Sequence, residues 1–308
     1  MKIKEYHFPS ATGVCEIYGN IYTPNDENVR AVVAVHHGMA EHKKRYDDFF
    51  QYLTDNGFAV LMHDMANHGK SNQNTELTGY FGRIDGYKNL VSDFKTTFDM
   101  AKKIYPDKKI IVIGHSMGSF IVRCFTAWYN NCGFSAAIYM GTGGANPIAA
   151  VGDKLTSLVA KIKGATYKSK LLDKMTFGAY GDKFEKRTAF DWLTRDKDAV
   201  DKYIADSYCG FLFSAQGMND LVKLNIAANS NEWYENVPKD IDILIISGDM
   251  DPVGNFGKGI DEVHEKLVST GHSKAQKNLY VDARHEILNE INKNEVYADI
   301  LSFLENVI

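Results

Sequence analysis

Short apolar runs alternate with amphipathic stretches along most of this chain, and that alternation predicts its architecture. Val29 to His36, Phe58 to His63, Ile110 to Ile113, Phe134 to Met140 and Ile241 to Ser247 are runs rich in Val, Ile, Leu and Ala. Bounded by polar or glycine-containing turns, they read as strands, with the continuous Val/Ala run of Val29 to His36 a candidate for a buried one. Between them the apolar period changes to that of a helix: Tyr46, Phe49, Phe50 and Leu53 share one face of Arg45 to Asn56, and Gly57 stops it. Further helices are predicted for Tyr87 to Ile104 ahead of Pro106, from Ser116 through Phe120, Ile121, Cys124, Phe125 and Trp128, for Lys258 to Thr270, and for Val296 to Val307. Strand and helix in alternation predict an α/β fold of βαβ units around a mostly parallel sheet flanked by helices. The alternation of Cys15, Ile17, Gly19 and Ile21 after a turn at Pro9 to Gly13 reads as an antiparallel pair within residues 5–22, and Lys277 to Val281 as the last strand. Asp64 to Gly86, polar and glycine-containing, reads as a long surface loop.

The regularity breaks at Gly141, Gly143, Gly144 and Pro147 and returns only at Ile241. We therefore divide the chain into a core domain, residues 1–145 and 239–308, and an inserted helical cap, residues 146–238. The first cap helix, Ile148 to Lys163, places Ile148, Val151, Leu155, Leu158, Val159 and Ile162 on one face, which needs something to cover. Aromatic residues are frequent in the insertion, among them Phe177, Tyr180, Phe190, Trp192, Tyr203, Phe211 and Phe213. Most should pack together, and a few should line a pocket.

Composition narrows the function classes. A chain of 308 residues can bury a sizeable core without staples, and 44% hydrophobic with 24% charged residues is ordinary for a globular protein. A formal charge of −4 provides no electrostatic footprint for nucleic acid. The four cysteines are scattered without metal or redox spacing, and Cys124 falls on an apolar helix face as a core thiol. The N-terminus has no signal-like apolar segment and no run approaches a membrane span, so a soluble cytoplasmic protein is expected.

Chemistry concentrates where the predicted strands end, the place where open parallel sheets hold ligands. Gly114, Ser116 and Gly118 form G-x-S-x-G between a strand and a helix. A serine at so sharp a corner needs small neighbours two residues to either side, and the helix N-terminus with the Met117 N–H would favour an oxyanion there. A serine is a weak nucleophile without a base, and an imidazole base needs a carboxylate to fix its tautomer. Asp251, three residues past the glycine that ends a late strand, and His285, just after the last strand, supply both in the order Ser, Asp, His. Asp249 is the alternative acid. His264 and His272 are read as surface histidines.

These stretches resemble the α/β-hydrolases of the monoacylglycerol lipase and lysophospholipase group, also called serine aminopeptidase S33-like. His37-Gly38-Met39-Ala40-Glu41-His42 with Arg45-Tyr46 is similar to that group's H-G-x-x-E-H…R-Y stretch, His63-Asp64 with His68-Gly69-Lys70-Ser71 to its H-D…H-G-x-S loop, and Gly114 to Gly118 to its nucleophile elbow. Gly248 to Asp251 and His285 to Glu290 match its acid and base loops. Asn67 and Ser119 stand where the group commonly has glycine. The resemblance implies an oxyanion hole from the N–H groups of Met39 and Met117, a loop supported by His37, Gly38, Glu41 and His42, and single-chain lipid esters as substrates.

The expected activity is hydrolysis of carboxylic esters through an acyl-Ser116 intermediate, without a cofactor, on a small ester or lipid met in solution or by transient contact with a membrane surface. Two other readings compete: cleavage of N-terminal amino acids from peptides, and a ligand-sensing module with little turnover. His36, His37, His42, His63 and His68 invite a metal, but no H-x-x-x-H helix or second shell accompanies them. They are read as bracing loops by hydrogen bonds, and no metal is assigned.

Overall fold

Ala31–His36, Phe58–His63, Ile110–His115 and Ala136–Met140 are buried at every residue in the computed structural model, which describes residues 1–308. The strands are β1 (Lys2–Pro9), β2 (Glu16–Thr23), β3 (Ala31–His36), β4 (Phe58–His63), β5 (Ile110–His115), β6 (Ala136–Met140), β7 (Asp242–Gly248) and β8 (Ala275–Tyr280). They form one sheet in the order β1-β2-β4-β3-β5-β6-β7-β8, antiparallel at β1, β2 and β4 and parallel from β4 through β8. The fold is the α/β-hydrolase arrangement expected.

Alternation along each strand divides the core in two. Val32, Ala34, Ile110 and Val112 face Phe94 and Phe98 of α2 (Gly86–Ile104) and Ile121 and Phe125 of α3 (Met117–Trp128). Val33, Val35, Ile111 and Ile113 face Phe49 and Leu53 of α1 (Asp47–Asp55) and Ile300 and Leu304 of α10 (Lys293–Val307). Burial on both sides is why these strands are apolar at consecutive positions. Cys124 lies in the first cluster as a free, buried thiol.

Between β6 and β7 come α4 (Ala149–Lys163), α5 (Lys170–Phe177), α6 (Lys197–Ala205), α7 (Ala215–Ala228) and α8 (Asn231–Asn236); α9 (Lys258–Ser269) follows β7. Met218, Leu224 and Trp233 of α7 and α8 join the cluster around α3. There the buried Arg123 donates to Asn229 Oδ1 at 2.9 Å and to the Gly143 carbonyl at 3.0 Å, under the face of Trp233.

Three local expectations are corrected. The α4 stripe is split: Leu155 and Val159 pack beside the small cluster of Ala160, Leu172 and Ala215, while Ile148, Val151, Leu158 and Ile162 stay exposed. The first part of the surface loop, Asp64 to Gly69, is buried, because its backbone is tied to neighbouring loops by buried side chains. His272 is buried as well, since its Nδ1 meets the Leu267 carbonyl and its Nε2 the Val237 carbonyl, both at 3.0 Å.

Candidate active site

The register of β3 on β5 sets the first close approach. His36 lies opposite Gly114, so the chain leaving β3 at His37 and Gly38 runs beside the chain leaving β5 at His115 and Ser116. With β4 on the other side of β3, this is the point where strand order reverses and a crevice opens. A β-carbon added to Gly38 would sit 3.0 Å from that of Ser116.

Ser116 occupies the corner itself, with φ 54° and ψ −123°, a conformation costing a non-glycine residue about 1–3 kcal/mol. Its N–H donates to the Met140 carbonyl at 2.9 Å, and its carbonyl accepts from Ser119 N–H at 2.8 Å and Ser119 Oγ at 2.5 Å. A β-carbon at Gly114 would lie 2.3 Å from the Gly118 carbonyl oxygen, and one at Gly118 2.4 Å from the His36 and His37 carbonyl oxygens, so both glycines are required by close approach. Ser119, where a glycine is common, uses its hydroxyl to hold the strained corner. Asn67, the other departure, adopts φ 55° and donates from Nδ2 to the Tyr80 carbonyl at 2.6 Å; asparagine tolerates the left-handed region that a glycine would otherwise fill.

Pairing of β7 with β8 brings the acid and imidazole loops together, with Met250 N–H donating to the Ala283 carbonyl at 3.0 Å. Asp251 Oδ2 is 2.9 Å from His285 Nδ1 and also accepts from Ser247 Oγ at 2.8 Å, while Oδ1 accepts from Val253 N–H at 2.8 Å. Burial alone would raise the Asp251 carboxyl, but the neighbouring imidazole and these hydrogen bonds outweigh it and hold the acid below its usual range. Asp249 forms no hydrogen bond with His285, whose Nδ1 faces Asp251, and its Oδ1 has no partner. The rings of His115 and Trp192 lie beside that of His285, with centroids 4.9 and 5.2 Å away.

Ser116 and His285 line one cavity of about 990 Å³ together with Met39 and Met117. No hydrogen bond joins Ser116 Oγ to His285 Nε2; such contacts often tighten only when substrate binds. Met117 begins α3, so its N–H has no acceptor within the helix, and Met39 N–H donates to no backbone carbonyl.

A buried charged network fixes the loop after β3. Glu41 Oε1 accepts from Gly38 N–H at 2.7 Å and Tyr46 Oη at 2.8 Å and is 3.2 Å from His115 Nδ1; Oε2 accepts from Arg45 at 2.8 Å. Against its burial, His115 and Arg45 hold the Glu41 carboxyl well below its usual range. Arg45 continues to Glu286, beside His285, in a two-bond pair at 2.7 and 2.6 Å. His37 Nε2 accepts from Met65 N–H at 2.8 Å and His68 Nε2 from Ala40 N–H at 3.3 Å, while each Nδ1 meets a carbonyl oxygen. Burial pushes both rings down to about 3, so they serve as neutral braces. His42 turns instead toward Asp206, at 2.8 Å. Reading the chain did not single out His115, Glu286 or Trp192 for this site; His115 is a variable position of the elbow, and Trp192 was one aromatic among many.

A family model described as serine aminopeptidase, S33 matches residues 27–292. The monoacylglycerol lipase of Mycolicibacterium smegmatis is 27% identical over 303 residues, covering 97% of this chain and 96% of the relative. A monoglyceride lipase homolog of monkeypox virus is 28% identical over 288 residues, 90% of each chain. Among solved structures, a highly thermostable carboxyl esterase from Bacillus coagulans, in complex with glycerol, is 30% identical and superposes with a TM-score of 0.93, covering 100% of this chain and 99% of the other. The chain belongs to the serine aminopeptidase S33 family of α/β-hydrolases, in the group that includes the monoacylglycerol lipases.

Proposed function

We propose that this chain is a carboxylic ester hydrolase that cleaves single-chain lipid esters, monoacylglycerols or lysophospholipids, through an acyl intermediate on Ser116. The observation that carries this reading is the buried Asp251–His285 pair opening onto the same cavity as the strained Ser116. Ser116 Oγ attacks the ester carbonyl while His285 Nε2 takes its proton; Asp251 holds the ring and stabilises its cation. The N–H groups of Met39 and Met117 receive the oxyanion. His285 then returns the proton to the leaving alcohol, and water, activated by the same ring, releases the acid.

Lipid substrates are supported by the lining, which includes Phe120, Leu155, Leu172, Phe177 and Val222. Two of the acidic residues there, Glu41 and Glu286, are already paired with Arg45, which removes candidates for holding a peptide α-ammonium group. The insertion 146–238 acts as a cap in this reading. Its exposed Ile148 and Met175 also line the cavity, and with Val151, Leu158, Ile162 and Leu171 they offer an apolar rim for transient contact with a lipid surface. No helix is long and apolar enough to cross a membrane.

The test is a p-nitrophenyl ester series from acetate to palmitate beside monoacylglycerol, lysophospholipid and aminoacyl-anilide substrates, with fluorophosphonate labelling and Ser116→Ala as control. Turnover of esters and labelling, both abolished in Ser116→Ala, are expected. Anilide cleavage without ester cleavage would overturn the reading in favour of a peptidase, and absence of both turnover and labelling in favour of a ligand sensor.

A further inference from the structure

Outside the Ser116 cavity, His42, Asp206 and Cys209 bring a nitrogen, an oxygen and a sulfur donor to within 4.8 Å of one another. His42 Nε2 and Asp206 Oδ2 are already 2.8 Å apart. Around a tetrahedral zinc ion, with bonds of about 2.0–2.1 Å to nitrogen and oxygen and about 2.3 Å to sulfur, these donors lie roughly 3.3–3.6 Å from each other, so a small movement of side chains suffices. We propose that these three side chains form a zinc site that fastens the turn after α6 to the loop after β3.

The chemistry matches that ion. One imidazole, one carboxylate and one thiolate offer two negative charges to a divalent cation, and a thiolate favours zinc over the oxygen-seeking calcium and magnesium. Three protein ligands leave a fourth position for water. Coordination breaks the Cys209 S–H bond, forms the S–Zn bond and releases the proton to solvent.

The scaffold is organised before any ion arrives. Asp206 Oδ1 accepts from Tyr208 N–H at 2.8 Å, which leaves Oδ2 to face His42, and Cys209 N–H donates to the Asp206 carbonyl at 3.0 Å. The turn is anchored on the Ala40 carbonyl, which accepts from Gly210 N–H and Tyr203 Oη, each at 3.0 Å. The Asp206 side chain is 30% exposed and that of His42 9%, so the ion can enter from solvent without unfolding. Ala40 follows Met39, and zinc held here therefore stiffens the segment that the hydrolase reading uses for its oxyanion donor.

Binding is read without substrate, so its outcome is independent of the ester assay. The metal-free, reduced full chain is titrated with Co²⁺ as a spectroscopic substitute, then with Zn²⁺. One equivalent with a thiolate-to-cobalt charge-transfer band in the near ultraviolet is expected, displaced by Zn²⁺, absent in Cys209→Ser and weakened at least about tenfold in Asp206→Asn, no less than the loss that follows removal of a mere outer-shell partner. In parallel, Zn²⁺ should slow iodoacetamide labelling of Cys209, read by peptide mass, and Asp206→Asn should need at least about tenfold more Zn²⁺ for the same protection, with Cys15 and Cys132 as internal controls. A native chain without the band, a band that persists in Cys209→Ser, or labelling indifferent to Zn²⁺ would overturn the proposal. Circular dichroism of both variants verifies that each is folded, and the labelling arm keeps Cys209 in place.

Discussion

Two aspartates two positions apart in one loop have different fates. Asp251 turns back over the sheet to His285, whereas Asp249 leaves one carboxylate oxygen without a partner. Only the first can hold the imidazole with its proton on Nδ1. Asp251→Asn is therefore expected to lower kcat by about 10⁴, because the amide stabilises the wrong tautomer, with KM little changed. Asp249→Asn should leave kcat unaltered. Steady-state kinetics of the two variants on one ester decide this, and equal losses would remove the distinction. Ser119 and Asn67 teach a related lesson: each replaces a glycine common in the family, and each keeps the local backbone by a hydrogen bond of its own side chain.

Between elements, buried carboxylates tie turns to helices. Asp93 of α2 accepts from Ser10 Oγ at 2.6 Å and from Ala11 N–H at 2.7 Å, clamping the turn between β1 and β2. Burial pushes its carboxyl up to about 7, and the two hydrogen bonds offset only part of that shift. An unfolded aspartate titrates near pH 3.9, so between about pH 4 and 7 the native chain holds a proton that the unfolded chain has lost. The contribution of Asp93 is thus fully present below about pH 4 and is lost as pH rises through about 7. Urea midpoints across this range should fall less with pH in Asp93→Asn than in the native chain; identical slopes would show that Asp93 does not carry the dependence.

At the scale of the molecule, Arg45 joins parts of the chain that are remote in sequence. It pairs with Glu41 four residues earlier and with Glu286 241 residues later, linking the loop after β3 to the loop that carries His285. Both carboxylates are buried, so Arg45→Ala would leave two charges uncompensated and should cost about 3–5 kcal/mol of stability by urea denaturation. Arg45→Lys should recover only part, since an ammonium cannot reproduce the two-bond geometry. A loss under about 1 kcal/mol for Arg45→Ala would place the pair among those that contribute little.

Local pattern in the chain was enough to predict the elements of the sheet, because consecutive apolar residues mark strands covered on both faces and a 3.6-residue period marks helices covered on one. It also singled out Ser116, Asp251 and His285, since each lies in the turn or loop that leaves the carboxyl end of a strand. Tertiary structure alone decided which elements meet: that α7 and α8 pack on α3, that Trp192 lies on the His285 ring, that His272 is buried, and that Cys209 and Asp206 stand beside His42. His42 and Asp206 are 164 residues apart, and a contact over that span leaves no period or spacing in either segment. Only the crossing of the chain over the carboxyl ends of its strands brings such residues together.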